Sequence, residues 1–345
     1  MKILLGMSGG LDSSYAILKL RRMGYDVEGA IVNMHRYTEL GDARRVADEL
    51  GVVLHEVDAT ANFERYVVSD FISEYTKGRT PNPCIICNSD VKFKALAMLA
   101  DRLGIEKIAT GHYADVVKKV DDYGTRYAIK RSVDPKKDQS YMLWRIPQSI
   151  LSRVVFPLAD ETKSGIREKS ASELRSVAER PESQEICFIP DNDYPSFIES
   201  RIGASAPGDF ISCNGKVLGR HKGIIHYTVG QRKGLGISLG ERAFITEINA
   251  DKNTITLDTN DRSSDEFTVT DIVFSGVKEP EIGAVLSLFV KLRYLAPPIE
   301  ANLYYLGSHR ARVKLSVPVR AITPGQSAVF YDSDILALGG FINLI

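Results

Sequence analysis

Lys2-Ile3-Leu4-Leu5-Gly6-Met7-Ser8-Gly9-Gly10-Leu11-Asp12-Ser13-Ser14 runs from an apolar strand through a glycine turn into small hydroxylated residues that open a helix. A backbone of this kind builds an anion cradle. The glycines let main-chain N–H groups come close to a ligand, and the helix N-terminus adds partial positive charge. The lysine of the GxxxxGK[ST] phosphate loop is missing, and so is the GxGxxG spacing of dinucleotide-binding turns. Ser and Asp are also good N-caps, so the same residues would serve an ordinary strand–turn–helix.

Outward from this loop, apolar strands alternate with helical stretches. A helix over about 13–23 precedes a strand at Val27–Val32, and a helix near Asp42–Leu50 precedes a strand at Val53–Asp58. A long helical region and a helix at Lys92–Leu103 lead to the strand Lys107–Thr110. This rhythm predicts an α/β fold with a parallel sheet covered by helices on both faces. Ligands of such sheets sit at the carboxyl ends of the strands, where Gly6–Ser13 and Thr110-Gly111-His112 both fall.

Helical patterning continues over Lys163–Ala178 and breaks at Pro181, and from about Asp193 the character changes. Asp209–Cys213, Asn214-Gly215 and Lys216–Leu218 predict a hairpin with a tight I′ turn, and glycines cluster between Gly230 and Gly236. Asn260–Glu266 reads as a linker. Beyond it, Val285–Tyr294, Ile299–Tyr305, Ala311–Leu315, Ala328–Tyr331 and Leu336–Leu338 predict short antiparallel strands closing into a small β-barrel. The expected domains are 1–192, 193–263 and 264–345.

The chain has 345 residues, 44% of them hydrophobic, with 44 basic and 44 acidic side chains. Zero net charge argues against a non-specific nucleic-acid coat and leaves room for local basic patches. Lys136-Lys137, Arg220 with Lys222, Arg232-Lys233 and Arg310 with Arg312 are such patches. No apolar run approaches the roughly 18 residues of a membrane helix, and the N-terminus runs directly into a strand. A cytoplasmic protein without span or signal peptide is therefore expected. Four cysteines do not make a disulfide framework in a chain this long.

Pro81-Asn82-Pro83-Cys84-Ile85-Ile86-Cys87-Asn88 is a proline-flanked turn presenting two thiols, and a third lies in Ile186-Cys187-Phe188-Ile189. A Cys–Cys pair could trade a persulfide sulfur through thiol–disulfide exchange. Three cysteines could equally hold an iron–sulfur cluster with one iron open. A zinc knuckle would need a fourth ligand that no second CxxC supplies. Cys213 is read as a bystander, and Trp144 as core.

In chain order, GMSGGLDSS (6–14), RTPNPCIICN (79–88), VKFKAL (91–96), ATGHYA (109–114), KDQSYML (137–143), ICFI (186–189), HYTVGQRKGLGI (226–237) and TPGQSAVFY (323–331) resemble the tRNA-specific 2-thiouridylases of the MnmA/TrmU family. The likeness spans nearly the whole chain, and its first segment is similar to the pyrophosphate loop of ATP pyrophosphatases. The resemblance implies a pyrophosphatase domain, a small central domain and a C-terminal β-barrel. It implies that ATP is bound by Gly6, Met7, Ser8, Gly9, Gly10, Leu11, Asp12, Ser13 and Gly111, with the segment near Val32 at the adenine, and that Mg²⁺ enters with it. Cys187 is the implied persulfide carrier and Cys87 the implied partner nucleophile. Asn82, Pro83 and Cys84 are implied at the target base. His112, Lys137, Asp138, Gln139, Arg293, Tyr294 and Gln326 are implied on the tRNA.

The activity so implied is ATP-dependent 2-thiolation of the wobble uridine; the alternative reading of the same loop is a different pyrophosphatase-loop tRNA-modifying ligase, against which the set Cys84, Cys87 and Cys187 argues. The expected acceptors are the glutamate, glutamine and lysine tRNAs, and the expected sulfur source is a cysteine desulfurase or a relay protein. The family commonly reads N-P-D-x-x-C, whereas Cys84 stands here at the aspartate position. A thiol there could shuttle a proton, or it could complete a three-cysteine set for a [4Fe-4S] cluster that binds external sulfide. The connection from Val32 to Asp42 is also shorter than the family's.

Overall fold

The computed structural model describes residues 1–121, 124–174, 186–237, 242–259 and 263–344. Its first layer is a parallel sheet of β1 (Lys2–Gly6), β2 (Asp26–Asn33), β3 (Leu54–Asp58), β4 (Lys107–Thr110) and a short strand, Val154–Val155. The order is β3-β2-β1-β4, with Val154–Val155 beyond β4. The chain leaves β1 toward β2 and β3, then returns to place β4 on the other flank of β1. The crevice between the carboxyl ends of β1 and β4 is thus a topological switch point, where open α/β sheets bind ligands. Alternation within β1 feeds two cores: Leu4 packs on one side with Ala30 and Ile108, and Ile3 and Leu5 pack on the other with Val27 and Ala109. Helices cover both faces, as the apolar strands required.

Helices Leu11–Arg22 and Leu40–Leu50 follow β1 and β2. The long helical region after β3 resolves into Thr60–Phe63, a π-helical turn Glu64–Val68 and Ser69–Thr76. Of the expected helix at Lys163–Ala178, Lys163–Glu173 is observed, with Thr162 Oγ1 accepting Gly165 N at 3.1 Å as its N-cap. Residues 175–178 and Pro181 lie outside the described residues.

The middle of the chain is a helix, Tyr194–Ile202, and a four-stranded sheet that includes the expected hairpin, Gly208–Ser212 with Val217–His221. Its turn corrects the sequence reading. Gly215 is left-handed (φ 83°) but Asn214 is not, and Gly215 N donates to Ser212 O at 2.9 Å. This is a type I turn followed by a left-handed glycine, which the extra residue Cys213 makes possible; I′ would need positive φ at both central positions.

The C-terminal strands close into a barrel through pairing of Ser263–Phe274 with both Arg310–Arg320 and Ile335–Asn343. The linker expected at Asn260–Glu266 is corrected from Ser263 onward, where barrel strand begins; 260–262 lie outside the described residues. Its alternation was hidden because Ser263–Glu266 are polar and partly exposed, while Phe267 and Val269 are fully buried. A hairpin that the sequence reading passed over, Ala114–Asp121 with Gly124–Arg131, leaves the β4 end and joins the barrel's sheet where Lys130 pairs with Ile335. Trp144 is fully buried, its Nε1 donating to Ser327 Oγ at 3.1 Å, and fastens the first unit to the barrel. Among the described residues no helix is long and apolar enough to cross a membrane.

Candidate active site

At the switch point, the loop after β1 folds back on itself. Met7 N donates to Ala30 O at 2.8 Å, Ser8 N to Ser13 Oγ at 3.2 Å, and Ser13 Oγ to Gly10 O at 3.1 Å. The helix N-cap is Gly10, which offers no side-chain acceptor, and the first ladder bond runs from Ser14 N to Gly10 O. The amides of Leu11, Asp12 and Ser13 therefore precede the ladder and are left for an anion. Met7 and Leu11 turn their side chains into the core, so they can offer a ligand only main chain. Gly9 has φ 74°, and a Cβ there would stand 2.7 Å from Ala43 N. Gly111, after β4, packs its α-carbon on the same turn: a Cβ would come 3.0 Å from Ser13 N and 3.1 Å from Asp12 C.

Two partners of the loop escaped the sequence reading. Lys163 straddles the Asp12 carboxylate at 2.7 and 2.8 Å, and the Tyr113 hydroxyl donates to Asp12 Oδ1 at 2.7 Å. The lysine absent from the loop itself is thus supplied from a distant helix N-terminus, a pairing that no local spacing could signal. Val32, expected near the adenine, packs in the core, and Met34 and His35 follow it at the strand's carboxyl end. The His35 ring is pushed below its ordinary pKa by burial, and its Nδ1 has no partner.

The thiols stand at the same edge of the sheet. Asn82 caps the short helix Pro83–Ile86 by accepting Cys84 N at 3.2 Å, with proline at the first helical position. Cys87 opens a π-helical turn, Cys87–Lys92, and its Sγ lies 3.5 Å from Met34 Sδ. The approach to the turn is held at Thr80 by three hydrogen bonds from two segments. Thr80 N donates to Pro324 O at 2.9 Å, Gln326 Nε2 to Thr80 O at 2.9 Å, and Thr80 Oγ1 to Thr228 Oγ1 at 3.3 Å. Cys187 is exposed and positioned by its neighbour Phe188, whose ring is held by Phe63, Phe71 and Phe197 at 5.3, 5.5 and 5.4 Å. Gln184 and Glu185 lie outside the described residues.

Loss of hydration pushes the buried Cys87 thiol up to about 12 and, although the residues Cys187 and Cys84 keep surface open to solvent, the protein crowded round their thiols pushes Cys187 up to about 11 and raises Cys84 as well. The Lys92 ammonium opposes all three shifts. It also acts with burial to drive His112 down to about 3, so that imidazole is neutral. His112 is gripped between Phe93 and Phe156, and its Nδ1 shares a 2.7 Å hydrogen bond with Thr110 Oγ1. None of the four cysteines is in a disulfide, and Cys213 lies apart, beside Asp258. Among the described residues no three His, Cys, Asp or Glu side chains are grouped to hold a metal ion.

The other expected RNA contacts are scattered in character. Asp138 is buried and accepts from Arg131 Nε, Ser132 N, Ser140 N and Ser140 Oγ at 3.0–3.2 Å, an internal brace. Gln139 Oε1 accepts Tyr113 N at 3.0 Å, linking that brace to the Asp12 strut. Lys137 is half-buried on the same loop. Exposed Arg293 donates to Ala321 O and Thr323 Oγ1 at 3.0 and 3.1 Å, and half-buried Tyr294 faces Tyr141 with ring centroids 6.2 Å apart.

A parallel sheet with an amide cradle at its switch point and no Walker lysine defines an ATP-pyrophosphatase-like α/β enzyme, here joined to a small β domain and a barrel. Three family models match in order: "tRNA methyl transferase HUP domain" over residues 1–191, "tRNA methyl transferase PRC-barrel domain" over 195–258 and "Aminomethyltransferase beta-barrel domain" over 264–342. The chain is 42% identical to the tRNA-specific 2-thiouridylase MnmA of Acetivibrio thermocellus and 41% identical to that of Clostridium acetobutylicum, with 99% of each chain covered in both cases. Among solved structures, a 4-thiouridine synthetase–RNA complex with bound ATP is similar over 58% of this chain and 50% of its own, at 19% identity and TM-score 0.38. The chain belongs to the tRNA-specific 2-thiouridylase MnmA family.

Proposed function

We propose that this enzyme uses ATP to replace the C2 oxygen of a tRNA wobble uridine with sulfur, releasing AMP and pyrophosphate. The observation that carries the reading is that the amide cradle after β1 and the thiol turn stand at the same carboxyl edge of the sheet, where Cys87 Sγ lies 3.5 Å from Met34 Sδ just beyond β2. Adenylation and sulfur delivery can therefore share one bound base.

The C2 oxygen is a poor leaving group. It attacks the α-phosphorus of ATP, and pyrophosphate departs into the amides of Leu11, Asp12 and Ser13, with Lys163 alongside. Mg²⁺ accompanying ATP would take phosphate oxygens and the half-exposed Asp12 carboxylate, and would screen the phosphate charge. The terminal sulfur of a Cys187 persulfide then attacks C2 and expels AMP. Cys87 attacks the Cys187 Sγ, which frees the 2-thio group and leaves a Cys87–Cys187 disulfide that a dithiol reductant reopens. Both thiols are protonated at neutral pH, so the more acidic persulfide is the species that starts sulfur transfer. Cys84, Asn82 and Pro83 would frame the base. A cysteine desulfurase or relay protein would load Cys187, and glutamate, glutamine and lysine tRNAs are the acceptors.

Transcript carrying ¹⁸O at uridine C2 tests the activation step. The label should appear in the phosphate of AMP; AMP free of label would refute adenylation of that oxygen.

A further inference from the structure

The helix that carries two of the thiols changes pitch just after them. Cys84 and Cys87 lie three positions apart, with Cys87 N donating to Cys84 O and Pro83 O, so they are neighbours on the helix surface. From Cys87 to Lys92 the turn is π-helical, and Phe93 N donates five positions back, to Asn88 O. In an α-helix of about 3.6 residues per turn, Lys92 would stand about 140° round from Cys87. The wider turn brings it back toward the Cys87 face, as such turns do at functional sites. Other residues fix the rotation of the turn: Asn88 Nδ2 donates to Met142 O at 3.1 Å, and Arg145 Nη1 to Asp90 Oδ2 at 2.9 Å. Lys94 Nζ takes the other Asp90 oxygen at 2.7 Å, so the carboxylate nearest in sequence is already committed. Half-buried Lys92 itself makes no hydrogen bond or ion pair among the described residues. Its charge nonetheless reaches Cys84, Cys87, Cys187 and His112, on which the next residue, Phe93, stacks at 5.9 Å. An unpaired, partly dehydrated ammonium costs stability, and beside nucleophiles it suits chemistry that passes through anions.

We propose that Lys92 is a catalytic residue of sulfur transfer, its ammonium bridging the two anions that must meet on the base: the terminal sulfur of the Cys187 persulfide and the phosphate of the adenylated C2 oxygen. The inference rests on the thiolation reading given above. Without a cation, these like charges would repel each other in a site poor in water. As the persulfide sulfur bonds to C2, the C2–O bond breaks and its electron pair leaves on AMP. The phosphate passes from one negative charge toward two, so Lys92 holds it more strongly in the transition state than before it. Cys87 then gives up its proton and attacks Cys187 Sγ. The disulfide forms as the persulfide S–S bond breaks, that bond's electron pair stays with the sulfur on C2, and the proton ends on N3 of the base.

The test is a single turnover of the full-length protein, loaded with persulfide, on unmodified tRNA transcript and ATP radiolabelled at the α-phosphate. Wild type, Lys92→Met and Lys92→Arg are compared, and each is unfolded in urea. Lys92→Met keeps the apolar stem and should slow 2-thiouridine formation about a hundredfold, the loss typical of one missing charge-stabilising donor. Labelled AMP should meanwhile build up esterified to the tRNA, and Lys92→Arg should restore most of the rate. Thiolation by Lys92→Met within a few-fold of wild type would overturn the proposal. An equal fall in pyrophosphate release and thiolation, with a lower urea midpoint and no AMP held on tRNA, would overturn it too, because Lys92 would then serve the fold alone. Wild type that makes no 2-thiouridine would instead remove the functional reading itself.

Discussion

Gly111→Ala isolates the geometry of the cradle. Its backbone is in an ordinary region, so the added methyl acts by contact alone: 3.0 Å from Ser13 N, 3.1 Å from Asp12 C and 3.2 Å from Ser13 Cα. Ordinary contact begins near 3.4 Å, so the helix start must move by about 0.4 Å, and its backbone cannot swing aside as a side chain would. Overpacking of this kind costs about 1–3 kcal/mol, and the stiffer unfolded chain returns about 0.4–1 kcal/mol. The expected net loss is about 1–2 kcal/mol. A displacement of 1 Å at reacting groups costs on the order of a hundredfold, so a shift of this size should weaken ATP use about tenfold. The assays are urea unfolding and the ATP dependence of pyrophosphate release with tRNA. Gly51→Ala is the control: φ is 58°, with open space around the site, so strain of about 1 kcal/mol should appear without a change in ATP use. Wild-type ATP dependence in Gly111→Ala would refute the claim that Gly111 seats the anion cradle.

Cys187→Ser should abolish 2-thiouridine while pyrophosphate is still released on tRNA; thiolation surviving in that variant would contradict the persulfide role. Raised thiol pKa values, to about 11 for Cys187 and about 12 for Cys87, leave the thiolate fraction rising through the alkaline range. Iodoacetamide labelling of Cys187, followed by mass spectrometry, should therefore accelerate about tenfold per pH unit from 7 to 9; a plateau below pH 9 would contradict it. Lys92→Met removes the cation that opposes those shifts and should slow the labelling further at fixed pH. Phe188→Ala empties the pocket among Phe63, Phe71 and Phe197, with an expected loss of about 3–5 kcal/mol in denaturant unfolding and loss of thiolation as Cys187 comes adrift.

The parallel sheet was legible because its strands are short apolar runs bounded by glycine and helical patterns, and β4 falls where the sequence reading set it. The cradle was legible because glycine and hydroxyl spacing is a local property. What escaped is non-local. The Lys163–Asp12 pair joins residues 151 positions apart, and Phe188 finds its aromatic neighbours from more than one helix. Asp138 shows something the motif could not signal: the fold engages its carboxylate on neighbouring turns. The barrel's first strand was missed because its opening residues are polar, and pairing with two partners makes a strand of a stretch that alone reads as linker.

The most direct test of the account is nucleoside mass spectrometry on unthiolated tRNA incubated with the enzyme, ATP, Mg²⁺ and a persulfide donor under anaerobic conditions. The account predicts ATP-dependent 2-thiouridine at the wobble position, with one AMP formed per thiolated tRNA. AMP formation with no 2-thiouridine, from either persulfide or sulfide, would mean that the cradle activates some other substrate.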